Sequence, residues 1–158
     1  MRLLIVDDSR SSLALIGSII GEVVPGEIEL CLNPLEAIAL CREHQYDLVI
    51  VDHIMPEMDG IEFTAALRAR PAYSLVPIVM VTSDADKAIR IEAIKAGASD
   101  FLQKPFDPTE LQARVAAEIT TTFASGYADT ISLDDMLDPA VAMAYSAQAT
   151  GEKRLVTP

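Results

Sequence analysis

The sequence of 158 residues has few aromatic side chains and few basic residues. Tryptophan is absent and aromatic residues make up 5% of the chain, so a core must be built mainly from Leu, Ile, Val and Ala. Lys and Arg number 12 against 24 Asp and Glu, which gives a net charge of −12. Because nucleic-acid binding relies on Lys and Arg that neutralise phosphates, we expect this chain to have no nucleic-acid partner.

Cysteines and long apolar runs are also scarce. Cys31 and Cys41 stand in apolar patterns, without a CxxC motif or a histidine at metal-ligand spacing, so we expect two reduced, buried thiols. Nowhere do 18 apolar residues follow one another, and acids at positions 7 and 8 end the first apolar run. We therefore expect no membrane span and no signal peptide, but a cytoplasmic protein with one domain and some additional chain.

Short apolar segments alternate along the chain with segments of helical periodicity. The predicted strands are residues 3–6, 28–32, 47–51, 77–81 and 101–102. The predicted helices are residues 10–22, 34–44, 60–70, 85–97 and 107–122. The first, third and fourth strands are apolar at nearly every position, which is typical of parallel strands covered on both faces. The alternation predicts a doubly wound α/β domain over residues 1–122. Residues 123–158 lack this pattern and are interpreted as a tail or linker with weak helical character.

Charged and hydroxyl side chains follow four of the predicted strands, where a doubly wound sheet binds its ligands. These residues are Asp7, Asp8, Asp52, Thr82 and Lys104. Carboxylates without other ligand types favour a hard cation, and their small number favours Mg²⁺ over Ca²⁺. A hydroxyl and an ammonium group suit the oxygens of a phosphoryl group. Since a carboxylate can act as a nucleophile toward phosphorus, the set predicts an aspartate phosphorylation site.

The motifs that carry these residues resemble those of bacterial two-component response-regulator receiver domains of the chemotaxis-regulator type. The matching segments are LLIVDDS, LVIVDHIMPEMDGIEF, PIVMVTSD and AGASDFLQKPFDPTEL. The spacings agree as well, because Thr82 follows Asp52 by 30 residues and Lys104 follows Thr82 by 22. The resemblance covers residues 1 to about 122. It implies a flavodoxin-like, five-stranded parallel sheet in the order 2-1-3-4-5, with five helices.

The same resemblance implies the chemistry of the site. Asp52 would accept a phosphoryl group from a sensor histidine kinase or a phosphotransfer protein. Mg²⁺ would be held directly by Asp8 and Asp52, through water by Asp7, and by the backbone carbonyl of Ile54. An apolar side chain at position 54 cannot orient an attacking water, so we also expect slow self-dephosphorylation.

The resemblance further implies a switch. Thr82 and Lys104 would bind the phosphoryl oxygens, and Phe101 would change rotamer together with Thr82. The surface formed by the fourth helix, the fifth strand and the fifth helix would then change shape for output or for homodimer formation. Such a protein would catalyse only its own phosphorylation and dephosphorylation.

Two alternatives remain open from the sequence. A phosphatase of the haloacid-dehalogenase type also uses an Asp nucleophile, Mg²⁺, a hydroxyl and a Lys, but its nucleophile lies on the first strand in a DxD pattern. A receiver-like binding module that is never phosphorylated would keep the fold without the reaction. His53, next to Asp52, is expected to be a packed or partly exposed side chain, and Asp100 and Arg114 are expected to be solvated surface charges.

Overall fold

The computed structural model describes residues 1–84 and 86–124, and contains a parallel sheet with helices on both faces. The strands are β1 (Arg2–Val6), β2 (Glu27–Cys31), β3 (Leu48–Asp52), β4 (Ile78–Thr82) and β5 (Asp100–Gln103). The helices are α1 (Arg10–Gly21), α2 (Pro34–Glu43), α3 (Gly60–Arg68), α4 (Lys87–Ala96) and α5 (Pro108–Ala124), with a 3-10 turn at Pro71–Tyr73. From residue 125 onward, the predicted tail or linker lies outside the described residues.

The strand order is β2-β1-β3-β4-β5, and every pair of neighbouring strands is parallel. This confirms the predicted fold. The central strands β3 and β4 are buried at all of their positions, whereas β2, at the edge of the sheet, exposes Glu27 and Leu30. The continuous apolar runs of β3 and β4 are explained by this double coverage.

Two apolar cores lie on opposite faces of the sheet, because successive side chains of a strand point to opposite faces. On β1, Leu3 and Ile5 belong to the core with α1 and α5, while Leu4 and Val6 belong to the core with α2, α3 and α4. The second core also contains Cys31 and Cys41, both buried and free, as predicted. Burial raises the pKa of the Cys41 thiol to about 11, so this thiol stays protonated at neutral pH.

Side chains at the helix ends fix most of the boundaries. Asp59 and Glu62 form a capping box at the start of α3, and Gly97 ends α4 with a left-handed φ of 110°. The predicted start of α4 was two residues too early. Asp86 is its N-cap, accepting a hydrogen bond from the N–H of Ala88, while Asp84 accepts one from the N–H of Asp86. None of the described helices combines the length and apolar character that crossing a membrane requires.

Candidate functional site

Four strands bring the predicted site residues to one edge of the sheet. Asp52 and Thr82 are the last residues of β3 and β4, and Asp7 and Lys104 follow directly after β1 and β5. The register pairs Val6 with Val51, Asp52 with Val81 and Thr82 with Gln103, so the four strands end at nearly the same level. The strand ends therefore gather these side chains from positions up to 97 residues apart in the sequence.

The centre of this edge is a cluster of carboxylates. Asp7, Asp8 and Asp52 each place an oxygen within 4.8 Å of the others. Asp7 is 1% exposed and Asp52 is 9% exposed, while Asp8 faces solvent. Oxygens around one Mg²⁺ ion lie at most about 4.2 Å apart, twice the Mg–O distance, so only a small approach is needed. These residues therefore fit the predicted magnesium site.

The charges at this edge are incompletely balanced. Burial raises the pKa of the Asp52 carboxyl above its ordinary value of 3.8, the Asp7 charge raises it further, and the Lys104 ammonium opposes both effects. Lys104 Nζ lies 2.8 Å from Asp7 Oδ2 but 3.6 Å from Asp52 Oδ1. The lysine is thus paired mainly with Asp7. Asp52 keeps a carboxylate oxygen that could attack a phosphoryl group and a charge that could bind a cation.

Thr82 and Phe101 are both buried beside this edge. Thr82 Oγ1 accepts a hydrogen bond of 3.1 Å from the N–H of Asp84, so its own proton is available to another acceptor. Phe101 is 7% exposed, and the guanidinium carbon of Arg90 lies 6.0 Å from the centre of its ring. The phenyl ring therefore occupies an interior position under a cation from α4, and its predicted rotamer change stays a prediction.

The loop after β3 owes its path to Gly60. A Cβ atom on Gly60 would lie 2.4 Å from the carbonyl oxygen of Asp52, so any side chain there would displace the end of β3. Ile54 is 58% exposed at the start of this loop. His53 is buried, as one of the two expected states, and its Nδ1 has no hydrogen-bond partner. The absence of a side chain at Gly60 thus allows the close approach of the loop to Asp52.

Two contacts near the site were not expected from the sequence. Lys104 Nζ lies 3.3 Å from Ser12 Oγ, a contact between residues 92 positions apart. Asp100 and Arg114 are not independently solvated, because Arg114 Nη1 lies 2.9 Å from both carboxylate oxygens of Asp100. This ion pair, in which one guanidinium nitrogen faces both carboxylate oxygens, links β5 to α5. Ser9 is the N-cap of α1, and only the position of Ser12 one turn later could have indicated the first contact.

A groove of about 470 Å³ opens beside the site, on the surface formed by α4, β5 and α5. Its lining residues are Arg90, Phe101, Leu102, Gln103, Lys104, Pro105, Glu110 and Arg114. Because Phe101 and Lys104 both line the groove, a movement of either side chain would change the shape of the groove.

Comparison with known proteins gives consistent matches. The family model for the response regulator receiver domain matches residues 3–116. A chemotaxis protein CheY homolog from Campylobacter jejuni subsp. jejuni is 32% identical over 130 residues, covering 82% of this chain and 100% of that protein. The chemotaxis response regulator CheY4 of Vibrio cholerae has a matching structure with a TM-score of 0.69 and 31% identity, over 74% of this chain and 97% of that one.

A longer relative matches over only part of its length. The cyclic di-GMP phosphodiesterase response regulator RpfG of Xanthomonas campestris pv. campestris is 38% identical over 116 residues. The match covers 72% of this chain but 30% of that protein, so the chain spans less than a third of this relative. The family-model match falls on the strand and helix region that carries the acidic cluster. The chain therefore belongs to the response regulator receiver domain family of two-component systems.

Proposed function

We propose that this chain is a phosphorylation-dependent signalling receiver in which Asp52 accepts a phosphoryl group from a sensor histidine kinase or a phosphotransfer protein. The observation that carries the proposal is the acidic cluster of Asp7, Asp8 and Asp52, with the ammonium group of Lys104 3.6 Å from Asp52 Oδ1. In a receiver-family chain, this is the arrangement that a carboxylate nucleophile for phosphorus needs.

The reaction transfers the phosphoryl group to an oxygen of Asp52. A carboxylate oxygen attacks phosphorus in line with the bond to the donor, a P–O bond forms, and the donor leaves with the electron pair of the broken bond. Lys104 neutralises charge on the phosphoryl oxygens, for which its position between Asp7 and Asp52 is suited. No general base is required, because the attacking group carries no proton when ionised.

Mg²⁺ is the cofactor that we propose for this reaction. Asp8 and Asp52 would hold it directly, Asp7 through a water molecule and Ile54 through its backbone carbonyl, as in the receiver family. When bound, it would offset the mutual repulsion of the carboxylates and of the phosphoryl oxygens. The raised pKa of Asp52 supports this assignment, since burial and the Asp7 charge destabilise the ionised carboxylate until a cation compensates it.

The signal would pass from Asp52 through Thr82 to the groove. A phosphoryl group adds between about −1.5 and −2 charges and three acceptor oxygens. Thr82 can donate its hydroxyl proton to one of them, because its oxygen now acts only as an acceptor for Asp84. Phe101 lacks a hydroxyl group and can stay buried without a polar partner. The altered surface of α4, β5 and α5 would then bind an output partner or a second copy of the chain.

Apart from the phosphoryl donor, this function requires no external substrate, and we propose none. The phosphodiesterase activity in the printed name of RpfG belongs to that longer protein, of which the match covers 30%. The phosphatase alternative has no specific observation in its favour. A cytoplasmic location is proposed because the phosphoryl donors of the family act there.

Intact-mass measurement after incubation with acetyl phosphate and Mg²⁺ tests the proposal. We expect one phosphoryl adduct on the wild-type protein, none on Asp52→Asn, and none on the wild type when EDTA replaces Mg²⁺. An adduct that persists on Asp52→Asn would place the acceptor elsewhere. A wild-type protein that gains no adduct would favour the binding module that is never phosphorylated.

A further inference from the structure

We propose that Ser12 is a positioning residue that holds the Lys104 ammonium group beside Asp52. The inference rests on the proposed function, because its consequence is a faster phosphorylation of Asp52. Ser12 does not belong to the acidic cluster and is not among the residues that the motifs single out. Its hydroxyl oxygen lies 3.3 Å from Lys104 Nζ.

The ammonium group of Lys104 has three N–H donors, and three oxygens surround it. Asp7 Oδ2 lies at 2.8 Å, Ser12 Oγ at 3.3 Å and Asp52 Oδ1 at 3.6 Å. The first two contacts are hydrogen bonds, and the third is a longer ion pair. Lys104 is therefore anchored by Asp7 and Ser12 at a distance from which it can reach a group on Asp52.

The two anchors differ in charge, and this difference gives Ser12 its role. Asp7 carries a negative charge within the acidic cluster, so any cation bound there competes with Lys104 for that charge. Ser12 Oγ is neutral, and its contact with Lys104 does not depend on the charge of Asp7. A lysine side chain is long and flexible, so losing the Asp7 contact without a second anchor would let the ammonium group move into solvent.

Local hydrogen bonds fix the position of Ser12 relative to Asp7. Ser12 lies in the first turn of α1, and its N–H donates to the side-chain oxygen of Ser9, the N-cap. The N–H of Ser9 donates in turn to Asp7 Oδ1 at 2.9 Å. The chain from Asp7 to Ser12 therefore places a charged and a neutral acceptor within hydrogen-bond distance of the Lys104 ammonium group.

The first test is the rate of Asp52 phosphorylation by acetyl phosphate, followed by intact mass. Ser12→Ala should slow it by about threefold to tenfold, the size expected for the loss of one ordinary hydrogen bond, because the 3.3 Å contact is long. Ser12→Thr keeps the hydroxyl and should restore most of the rate. Ser11→Ala is the matched control, because Ser11 Oγ lies 3.0 Å from Ser9 Oγ in the same turn and has no contact with Lys104.

A double-mutant cycle separates positioning from a general structural effect. In a Lys104→Met background, Ser12→Ala should change the rate no further, because the group that it positions is gone. An equal slowing by Ser12→Ala in both backgrounds, or an equal slowing by Ser11→Ala, would overturn the proposal.

A second measurement requires no phosphorylation. Labelling of Lys104 by an amine-reactive reagent, measured by peptide mass spectrometry, should be faster in Ser12→Ala than in the wild type, and the difference should widen when Mg²⁺ is added. Identical labelling of the two proteins with and without Mg²⁺ would overturn the role of Ser12. A wild-type protein that is never phosphorylated would instead contradict the proposed function, while the labelling contrast would still test Ser12.

Discussion

Arg68, at the end of the sheet where the strands begin, donates hydrogen bonds to the backbone carbonyls of Gly97, Tyr73 and Val76. Asp52, at the end where the strands finish, has a 3.6 Å ion pair with Lys104 and a backbone hydrogen bond with His53, and it lies beside other carboxylates. Asp52 is buried and Arg68 is half-buried. Arg68 is surrounded by hydrogen-bond acceptors of the chain, whereas the few partners of Asp52 are opposed by the charges of Asp7 and Asp8.

This difference separates charges that stabilise the fold from charges that are available for chemistry. The partners of Arg68 are carbonyls whose positions are set by α3, the 3-10 turn and the end of α4, so its surroundings need not change. The partners that Asp52 lacks, a cation and a phosphoryl group, can arrive and leave. The raised pKa of Asp52 in a cluster of carboxylates at one end of the sheet is therefore typical of a functional site. The hydrogen-bonded guanidinium group of Arg68 at the other end is typical of a group that stabilises the fold.

The largest effect is expected from Arg68→Met. The substitution removes the donors of three backbone carbonyls, and unsatisfied acceptors that are shielded from water destabilise the folded state. We expect the free energy of unfolding to fall by about 3 kcal/mol, measured by urea denaturation. The initial rate of Asp52 phosphorylation under native conditions should stay within about twofold of the wild type, because the site lies at the opposite end of the sheet.

Arg70→Met is the matched control for this prediction. Arg70 lies two residues further along the chain, and its Nε is buried without a hydrogen-bond partner. Its replacement should change the free energy of unfolding by less than about 1 kcal/mol. Equal destabilisation by the two substitutions would show that the carbonyl contacts of Arg68 are not what stabilises this end.

Most of the fold and the members of the acidic cluster could be predicted from the sequence because their signals are local. Apolar runs of strand length mark β3 and β4, and the residues that end these runs are Asp52 and Thr82. A doubly wound fold then brings the strand ends together without further information. The roles of these residues stay predictions, since the geometry shows their proximity and not their reaction.

The features that could not be predicted depend on contacts between distant segments or on competition between equivalent residues. Ser12 and Lys104 meet only because the start of α1 lies near the end of β5, although the two residues are 92 positions apart in the sequence. Asp84 and Asp86 can both cap a helix, so the start of α4 depends on the path of the loop. The ion pair of Asp100 with Arg114 likewise depends on how α5 packs on β5.

The second largest effect is expected at Ile54, on the exposed rim of the site. An apolar side chain cannot hold a water molecule for attack on a phosphoryl group, whereas an amide can. Ile54→Asn should therefore speed the loss of the phosphoryl group from Asp52 by about tenfold, equivalent to about 1.4 kcal/mol in the barrier. The decay of the adduct by intact mass, after removal of acetyl phosphate, measures this rate.

Leu75→Asn provides the comparison at the opposite end of the sheet. Leu75 is 69% exposed against 58% for Ile54, so both substitutions replace an exposed apolar side chain by the same amide. Only the change at Ile54 should shorten the lifetime of the adduct. A shorter lifetime in both variants would point to a general loosening of the fold, and an unchanged lifetime in Ile54→Asn would remove the side chain at position 54 from the control of dephosphorylation.

The smallest effect is expected on the stability of Asp52→Asn without Mg²⁺. Burial and the Asp7 charge raise the pKa of Asp52 in the folded state above its ordinary value of 3.8, with Lys104 opposing them. The folded protein therefore holds this proton to higher pH than the unfolded chain, so the wild type loses stability as the pH rises from 3.8 through the raised pKa. Asn carries no such charge, and Asp52→Asn should be more stable by about 1 kcal/mol at pH 7 in EDTA, the usual size of a stabilising change at a functional site.

The free energies of unfolding of the two proteins should converge at pH values below 3.8, where the carboxyl is protonated in both the folded and the unfolded state. Added Mg²⁺ should narrow the difference at pH 7, because binding to the folded state stabilises the wild type more than the variant. Urea denaturation across this pH range measures both trends, and a wild type that is more stable than Asp52→Asn at pH 7 in EDTA would mean that Lys104 already compensates the Asp52 charge.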